Sequence, residues 1–344
     1  MRLVVRAGIK TRWLGRFMAL FAFSAAVYLF VVAPGSSLWQ RIKAWSGPVL
    51  NKICHSQAKP EQSQDELDEI GQDGTSRLQV HFINVGEGDS ILIQCDGKAW
   101  LIDGGPYRRG RRNHDTVHQY LQAHGVSHLQ AVVCSHEHQD HVGGLTKGLR
   151  CVQFDQVWAL PPLGPKHDGY DYFAQLAAQR GVPFGAPKWG CAYKIGRATA
   201  TFFAPVKVST LGGDDYHHDI NNSSMVMRLQ YGKHSFLFSG DIEKEAEEAY
   251  VKKYGAALAS TVLKVPHHGS STSTTPEFLN AVSPTFAVIS VNVNEARWKG
   301  WDDHPSEDVM NRLQAFNCQY KRTDIDGTVV FNSDGHSLVM ETEK

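Results

Sequence analysis

The sequence has few cysteines and no excess of either charge. Six cysteines in 344 residues are too few for a disulfide-stapled scaffold, so buried free thiols are the default interpretation of them. The 35 basic and 35 acidic side chains cancel, which argues against a protein that binds nucleic acid through its overall charge. A local basic patch stays possible. With 42% hydrophobic and 20% charged residues, the chain is neither disordered nor fibrous.

Histidine, in contrast, is abundant, with 17 residues, several of them clustered. Such crowding is typical of metal binding or acid–base chemistry.

The first 76 residues differ from the rest of the chain. Residues 1–16 are basic without a single acid, and an uncharged, mostly apolar run follows at 17–40. This pattern predicts one transmembrane anchor with a cytoplasmic basic flank and everything after it outside the cytoplasmic membrane. The alternative is a cleaved signal segment, which makes the protein secreted. Residues 41–76 are predicted to be a polar, acidic linker, and 77–344 a single folded domain.

Strands and helices are interspersed along this domain. Apolar segments between turns predict strands at 80–85, 90–94, 99–102, 131–135, 198–204, 224–231, 235–239, 262–265 and 285–291. Helical patterns fall at 116–124, 171–180, 243–254, 276–281 and, with Ser306 as the cap, up to 316. Asp326-Gly327 and Asp334-Gly335 are predicted hairpin turns near the end of the chain. This order predicts an α/β or α+β fold.

The sharpest motif is His136-Glu-His138-Gln-Asp140-His141, directly after the apolar strand at 131–135. A loop that leaves a buried strand can turn His136 and His138 toward one ion, and Asp140 and His141 toward a second. The alternative, an accidental histidine-rich surface loop, explains much less of the pattern. The glycines at 143 and 144 suit a tight turn into a helix.

Three further strand ends carry residues of the kind that bind metals. Asp103, before two flexible glycines, is expected to orient a metal-bound histidine, although a plain Asp-Gly turn is the alternative. Asp241 ends another strand at a good position for a carboxylate that bridges two ions. His267 and His268 end a third strand.

These motifs, in this order, resemble the metallo-β-lactamase fold, and more narrowly the extracytoplasmic domain of the ComEC family of DNA-uptake proteins. The narrower resemblance rests on the segments NVGEGDS at 84–90, NNSS at 221–224, LKVPHHGS at 263–270 and TDIDGT at 323–328. It covers about 80–335 and implies an αββα sandwich. The chain lacks the many membrane spans of that family, and so resembles a stand-alone version on a single anchor.

The resemblance also implies a site for two divalent ions, Zn²⁺ or Mn²⁺. Its ligands are His136, His138, Asp140, His141, Asp241 as the bridge, and either His268, which we favour, or His267. Where many relatives have another histidine, this chain has Asn221, a weaker and harder ligand, so that either the first metal is labile or Mn²⁺ competes with Zn²⁺. His217 and His218 are close enough in sequence to substitute for it.

The implied chemistry is hydrolysis by a metal-activated water, with Asp140, Asp241 and His304 as the catalytic residues. His304 is the candidate for contact with the scissile phosphate, with an ordinary loop histidine as the alternative. Phosphate contacts are expected from Ser270 and from a local arginine cluster, Arg108, Arg109, Arg111 and Arg112. The alternatives are a plain polar loop around Ser270 and a solvated charged loop for the arginines. Trp298 and Trp301 can stack on bases or simply pack.

We therefore expect a phosphodiesterase or nuclease that acts on DNA outside the cytoplasmic membrane. Two alternatives remain at this point: a hydrolase of a small ester, lactone or thioester, and a non-catalytic DNA-binding module that retains structural metals.

Overall fold

The computed structural model describes residues 77–107, 116–163, 168–206, 216–298, 300 and 303–344. The predicted flank, anchor and linker lie outside these residues, as does the arginine cluster. Within the described ranges, no helix combines the length and the apolar character needed to cross a membrane.

Seventeen described strands, numbered β1 to β17 in chain order, form two large sheets and one small pair. The first sheet has the order β17-β16-β1-β2-β3-β5-β7-β8. Its strands are β1 Leu78–Phe82, β2 Ile91–Cys95, β3 Lys98–Ile102, β5 Ala131–Val133, β7 Val157–Trp158, β8 Phe184–Gly185, β16 Val329–Ser333 and β17 Leu338–Thr342. From β3 to β8 the neighbours are parallel, and from β17 to β3 they are antiparallel.

The second sheet mirrors this arrangement, with the order β15-β14-β13-β12-β11-β10-β9. Its strands are β9 Ala192–Ile195, β10 Ala198–Phe202, β11 Met227–Tyr231, β12 His234–Phe238, β13 Val262–Lys264, β14 Phe286–Ile289 and β15 Gln319–Arg322. From β12 to β15 the neighbours are parallel, and the remaining pairs are antiparallel. The small pair consists of β4 His128–Leu129 and β6 Gln153–Phe154.

The two sheets face each other through alternate side chains. Phe82 of β1 and Phe238 of β12 lie with ring centroids 6.2 Å apart, and Phe331 and Phe236 lie 5.8 Å apart. Because successive strand residues point to opposite faces, the intervening Leu237 leaves this core and joins a second cluster on the outer face.

Helices cover both outer faces, which gives four layers in the order αββα. They are α1 Thr116–Ala123, α2 Gln139–Val142, α3 Leu145–Gly148, α4 Asp168–Gln179, α5 Tyr216–Asn222, α6 Lys244–Tyr254, α7 Pro276–Val282, α8 Val293–Trp298, α9 Glu307–Ala315 and α10 Thr323–Asp326. Short 3₁₀ turns occupy Gly255–Leu258 and Pro266–Gly269. Leu121 and Phe173 are fully buried against the first sheet, and Phe278 and Leu313 against the second.

Most of the predicted elements are confirmed within a few residues. The caps agree as well: Ser306 accepts a hydrogen bond from the N–H of Val309, and Pro276 stands in the first turn of α7. Asp334-Gly335 joins the paired strands β16 and β17. The prediction of a hairpin at Asp326-Gly327 is wrong, because β15 and β16 belong to different sheets and Asp326 ends the short helix α10.

Cysteines follow the expectation of buried thiols only in part. Cys95, Cys134 and Cys318 are buried and free, and Cys151 is free but exposed. Cys191 is disulfide-bonded, which corrects the default interpretation for that residue.

Two glycines allow the chain to cross itself beside the metal motif. A Cβ on Gly144 would lie 2.0 Å from the carbonyl oxygen of Gly104, and a Cβ on Gly104 would lie 2.7 Å from the backbone nitrogen of Leu145. Gly104 donates a hydrogen bond from its N–H to the carbonyl of His141 at 2.7 Å. These glycines therefore serve close backbone approach. The predicted tight turn at 143 and 144 is confirmed, since it leads directly into α3.

We expect Gly144→Ala to lower the free energy of unfolding by about 3 kcal/mol, because its new methyl group meets backbone that cannot move aside. Gly125→Ala is the matched control: it carries the strain of a positive φ of 69° but meets no atom within 4 Å. It is expected to cost about 1 kcal/mol. Urea unfolding followed by circular dichroism measures both, and equal losses would contradict the close-approach explanation.

Candidate metal centre

Four strand ends bring acidic and imidazole side chains to one edge of the sandwich. Asp103 follows β3, His136 follows β5, Asp241 follows β12 and His268 follows β13. All four are buried, none being more than 5% exposed. They meet because carboxyl ends of parallel strands share one edge of a sheet, and each sheet contributes two of these ends.

One carboxylate oxygen lies at the middle of the cluster. Oδ2 of Asp241 is 2.9 Å from Nε2 of His141, 3.3 Å from Nε2 of His268 and 3.8 Å from Nε2 of His136. Three sets of three described residues hold their ligand atoms within 4.8 Å of one another: His136, His141 and Asp241; Asp140, His141 and His268; and Asp89, Asp103 and His141. Asp241 thus places one carboxylate oxygen among three imidazole nitrogens.

The two motif histidines present neighbouring nitrogens. Nε2 of His136 and Nδ1 of His138 lie 3.1 Å apart, and the other nitrogen of His138 lies 3.1 Å from Nδ1 of His217. Nδ1 of His136 lies 3.0 Å from the hydroxyl of Ser135 and 3.3 Å from that of Ser224. Both serine hydroxyls thus contact Nδ1 of His136, the nitrogen on the side away from His138. Sequence analysis assigned no role to either serine.

The donor set fits a cation. His141 donates from Nδ1 to Oδ2 of Asp103 at 2.9 Å, and His268 donates from Nδ1 to the carbonyl of Ser290 at 2.7 Å. Both partners only accept, so in the neutral rings each Nε2 carries a lone pair. These lone pairs point toward the same oxygen of Asp241. Lone pairs that lie this close repel one another unless a positive charge lies between them. The residues thus suit divalent metal ions.

The pKa values show the same demand for positive charge. Burial lowers the pKa of His141, but the carboxylates of Asp241 and Asp103 outweigh it and raise that pKa well above its usual range. Burial likewise opposes a charge on His268, yet Asp241 raises its pKa to about 9. Burial would raise the pKa of Asp241, but charges on His141, His268 and Lys264 hold it well below its usual range.

A buried lysine fixes the other oxygen of Asp241. Lys264 is 1% exposed, and its Nζ lies 3.1 Å from Oδ1 of Asp241 and 2.6 Å from Oδ2 of Asp89. Burial would lower the pKa of Lys264, but the two carboxylates raise it instead, so the lysine is charged. Sequence reasoning assigned no role to Lys264 or Asp89, although a lysine inside an apolar strand is itself a signal.

The consecutive histidines take different directions. His267 and His268 both have left-handed backbone conformations, with φ of 49° and 52°. His268 joins the ligand cluster, whereas Nδ1 of His267 lies 3.1 Å from the hydroxyl of Thr272 and its Nε2 lies 3.3 Å from the amide nitrogen of Asn221. Burial lowers the pKa of His267 to about 3, which keeps this ring neutral.

Asn221 lies beside the centre, against Glu243. Its amide nitrogen donates to Oε1 of Glu243 at 2.9 Å, while its oxygen Oδ1 is buried without a hydrogen-bond partner among the described residues. His218 pairs with the same glutamate. Of the two possible substitutes, His217 contacts His138, and neither His217 nor His218 belongs to any of the three ligand sets found among the described residues.

The remaining predicted residues fall into two groups. His304 lies next to the centre, with its ring centroid 6.0 Å from that of His268, and Ser270 donates its hydroxyl to Asp303 at 3.3 Å. The predicted phosphate contacts Arg108, Arg109, Arg111 and Arg112 lie outside the described residues, as does Trp301.

Several known proteins are similar to this chain. A model of the Metallo-beta-lactamase superfamily matches residues 83–291. The chain is 31% identical over 255 residues to Competence protein ComA of Neisseria gonorrhoeae, covering 72% of this chain and 31% of that protein. It is also 31% identical over 255 residues to Recombination protein 2 of Haemophilus influenzae, covering 74% and 29%. The chain thus spans about a third of the length of these curated relatives.

Among solved structures, CmlA, a diiron beta-hydroxylase from Streptomyces venezuelae, matches with a TM-score of 0.48 at 14% identity, covering 71% of this chain and 52% of that one.

We expect Lys264→Met to lower the free energy of unfolding by about 3–5 kcal/mol in chelator, because it leaves Asp89 and Asp241 buried without their cation. Lys244→Met is the control, since Lys244 is 67% exposed and pairs with Glu245 at the surface. The free energy of unfolding of this control is expected to change by no more than about 0.5 kcal/mol. Urea unfolding measures both, and a small loss for Lys264→Met would contradict the assigned role.

Proposed function

Since the chain belongs to the metallo-β-lactamase superfamily, we propose that this metal-dependent hydrolase cleaves phosphodiester bonds of DNA outside the cytoplasmic membrane. The observation that carries the hydrolytic part is the shared oxygen of Asp241, which three buried imidazole rings approach within 3.8 Å. A shared carboxylate of this kind is the arrangement that holds two ions side by side.

In this proposal the ions are Zn²⁺ or Mn²⁺. One would be held by His136 and His138 and the other by Asp140, His141 and His268, with Asp241 common to both. When bound, two such ions lower the pKa of water and neutralise charge that develops on phosphate oxygens.

Neighbouring side chains hold two of the proposed ligands in place. Asp103 holds His141 through Nδ1 at 2.9 Å, and Lys264 holds Oδ1 of Asp241 at 3.1 Å, so both ligands keep one orientation. Hydrolysis joins a water oxygen to phosphorus and breaks the bond from phosphorus to the leaving oxygen, which then needs a proton. His304, 5% exposed and adjacent to His268, is the proposed contact for that oxygen.

Two observations favour DNA as the substrate. The relatives are named for competence and recombination, and DNA is the object of both processes. The four arginines at 108–112 follow Asp103 closely in sequence and supply guanidinium groups of the kind that bind phosphate oxygens. Attraction to DNA is then local, as the balanced total charge requires.

We expect the purified chain, stripped of metal and resupplied with Mn²⁺ or Zn²⁺, to hydrolyse single- or double-stranded DNA and bis(4-nitrophenyl) phosphate. Asp241→Ala should lower kcat at least about 100-fold, because both ions lose a ligand. The measurement is DNA cleavage on gels together with release of nitrophenol.

The control is His128→Ala, which removes a histidine that is 47% exposed and pairs with Asp155 away from the centre. It should retain full activity. Hydrolysis of a lactone or thioester in place of every phosphodiester would favour the small-ester alternative. A chain with both ions bound that turns over nothing, and whose DNA binding survives Asp140→Ala, would favour the non-catalytic module.

The proposed location is the outer side of the cytoplasmic membrane, with residues 17–40 as a single anchor. The disulfide at Cys191 supports it, since disulfides persist in oxidising compartments. Cys54 is the remaining cysteine and lies outside the described residues.

We expect Cys191 to be found in a disulfide-linked peptide when free thiols are alkylated in intact cells before mass mapping. Buried Cys134 serves as the internal control, because it should be recovered as a thiol after denaturation in alkylating reagent. Recovery of Cys191 as a free thiol in the same sample would argue against an oxidising compartment.

A further inference from the structure

A buried glutamate, Glu87, stands directly behind His304. Glu87 is fully buried in the loop between β1 and β2, and its Oε1 lies 3.0 Å from Nδ1 of His304. Its other oxygen accepts a hydrogen bond from the N–H of Asn292 at 2.6 Å. Burying a carboxylate is unfavourable unless its oxygens accept hydrogen bonds. Here Oε1 of Glu87 is paired with the ring of His304, and Oε2 is paired with the backbone of Asn292.

The loop that carries Glu87 is fastened to the metal-binding motif. The N–H of Asp89 donates to the carbonyl of Asp140 at 3.1 Å. A Cβ on Gly88, which has a φ of 146°, would lie only 2.2 Å from the same carbonyl oxygen. On the other side, the N–H of Glu87 donates to Oε2 of Glu295 at 3.2 Å. The contacts with the carbonyl of Asp140 therefore fix the position of the loop that carries Glu87 relative to the metal-binding motif.

His304 is held between this loop and the ligand cluster. Its ring centroid lies 5.1 Å from that of His267 and 6.0 Å from that of His268. The carboxylate of Glu87 only accepts hydrogen bonds, so it selects the form of His304 that carries a proton on Nδ1. Nε2, on the far side of the ring and 3.8 Å from Asp303, is then the nitrogen that can meet a substrate oxygen.

We propose that Glu87 is a positioning residue, which fixes the imidazole of His304 in one orientation through Nδ1 and so aims Nε2 at the leaving oxygen. This inference rests on the proposed hydrolytic function. It differs from a purely structural role, in which Glu87 would only tie its loop to Asn292.

The test uses Glu87→Gln in the full, metal-loaded chain. The amide keeps the shape of the side chain but has one accepting oxygen for two donors, so the hold on His304 weakens. We expect kcat on the substrate that the wild type turns over to fall about 10- to 100-fold, with KM and metal content within about twofold of wild type. In a His304→Ala background the same change should cause no further loss.

Glu247→Gln is the matched control. Glu247 is also fully buried, and its two oxygens accept backbone hydrogen bonds from Thr274 and Thr275. It should leave kcat unchanged. A loss in Glu87→Gln that persists in the His304→Ala background, or that follows loss of metal, would overturn the proposal, as would no loss at all.

A second measurement works without turnover and without a folded Glu87 variant. The wild-type chain should show a downfield imidazole N–H proton resonance in NMR spectra that disappears in His304→Ala. Its presence with a protonated Nδ1 supports the positioning role, and a ring of His304 that lacks a proton on Nδ1 overturns it. If the wild type hydrolyses none of the substrates, the proposed function fails, while this resonance still shows whether Nδ1 of His304 carries the proton that a hydrogen bond to Glu87 requires.

Discussion

The concentration of buried negative charge around Asp241 is the constraint on which the rest of the structure depends. Asp89, Asp103, Asp140 and Asp241 are each at most 7% exposed, in an interior where unpaired charge is very unfavourable. Lys264 balances part of this charge through two of them. The remainder must be met by protonated histidines or by metal ions, and the converging imidazole nitrogens suit the second solution. The centre is thus stable only when it is filled with positive charge.

The fold meets this constraint by its strand order. Each large sheet is parallel in the half that carries the site, so consecutive strands end at the same edge and deliver one polar residue each. The antiparallel strands β1 and β16 add apolar packing against the second sheet, such as that of Phe82 against Phe238. The chain crossing at Gly104 and Gly144 then brings the loop after β3 into backbone contact with the metal motif. A side chain at either glycine would separate Asp103 from His141.

Local features of this protein could be predicted from the sequence, whereas its long-range pairings could not. Apolar alternation and caps located most strands and helices, and the motif around His136 predicted residue types that the structure brings together. The two-residue strands such as β7 and β8 carry too few residues for any periodicity. The partnership of Lys264 with Asp89 spans 175 residues of sequence and that of Glu87 with His304 spans 217, so neither follows from spacing. Such pairs are fixed only when the two sheets close on each other.

The loop between β1 and β2 shows how these pairings cooperate. Within three residues it sends Asp89 to Lys264 on one side and Glu87 to His304 on the other, while its backbone bonds to Asp140. A displacement of this loop would therefore disturb the charge balance of Asp241 and the orientation of His304 together. Gly88 allows the loop to lie this close to Asp140, because it has no side chain and its φ of 146° is one that other residues rarely adopt. One short, tightly constrained segment thus links the candidate metal centre to the histidine proposed to meet the substrate.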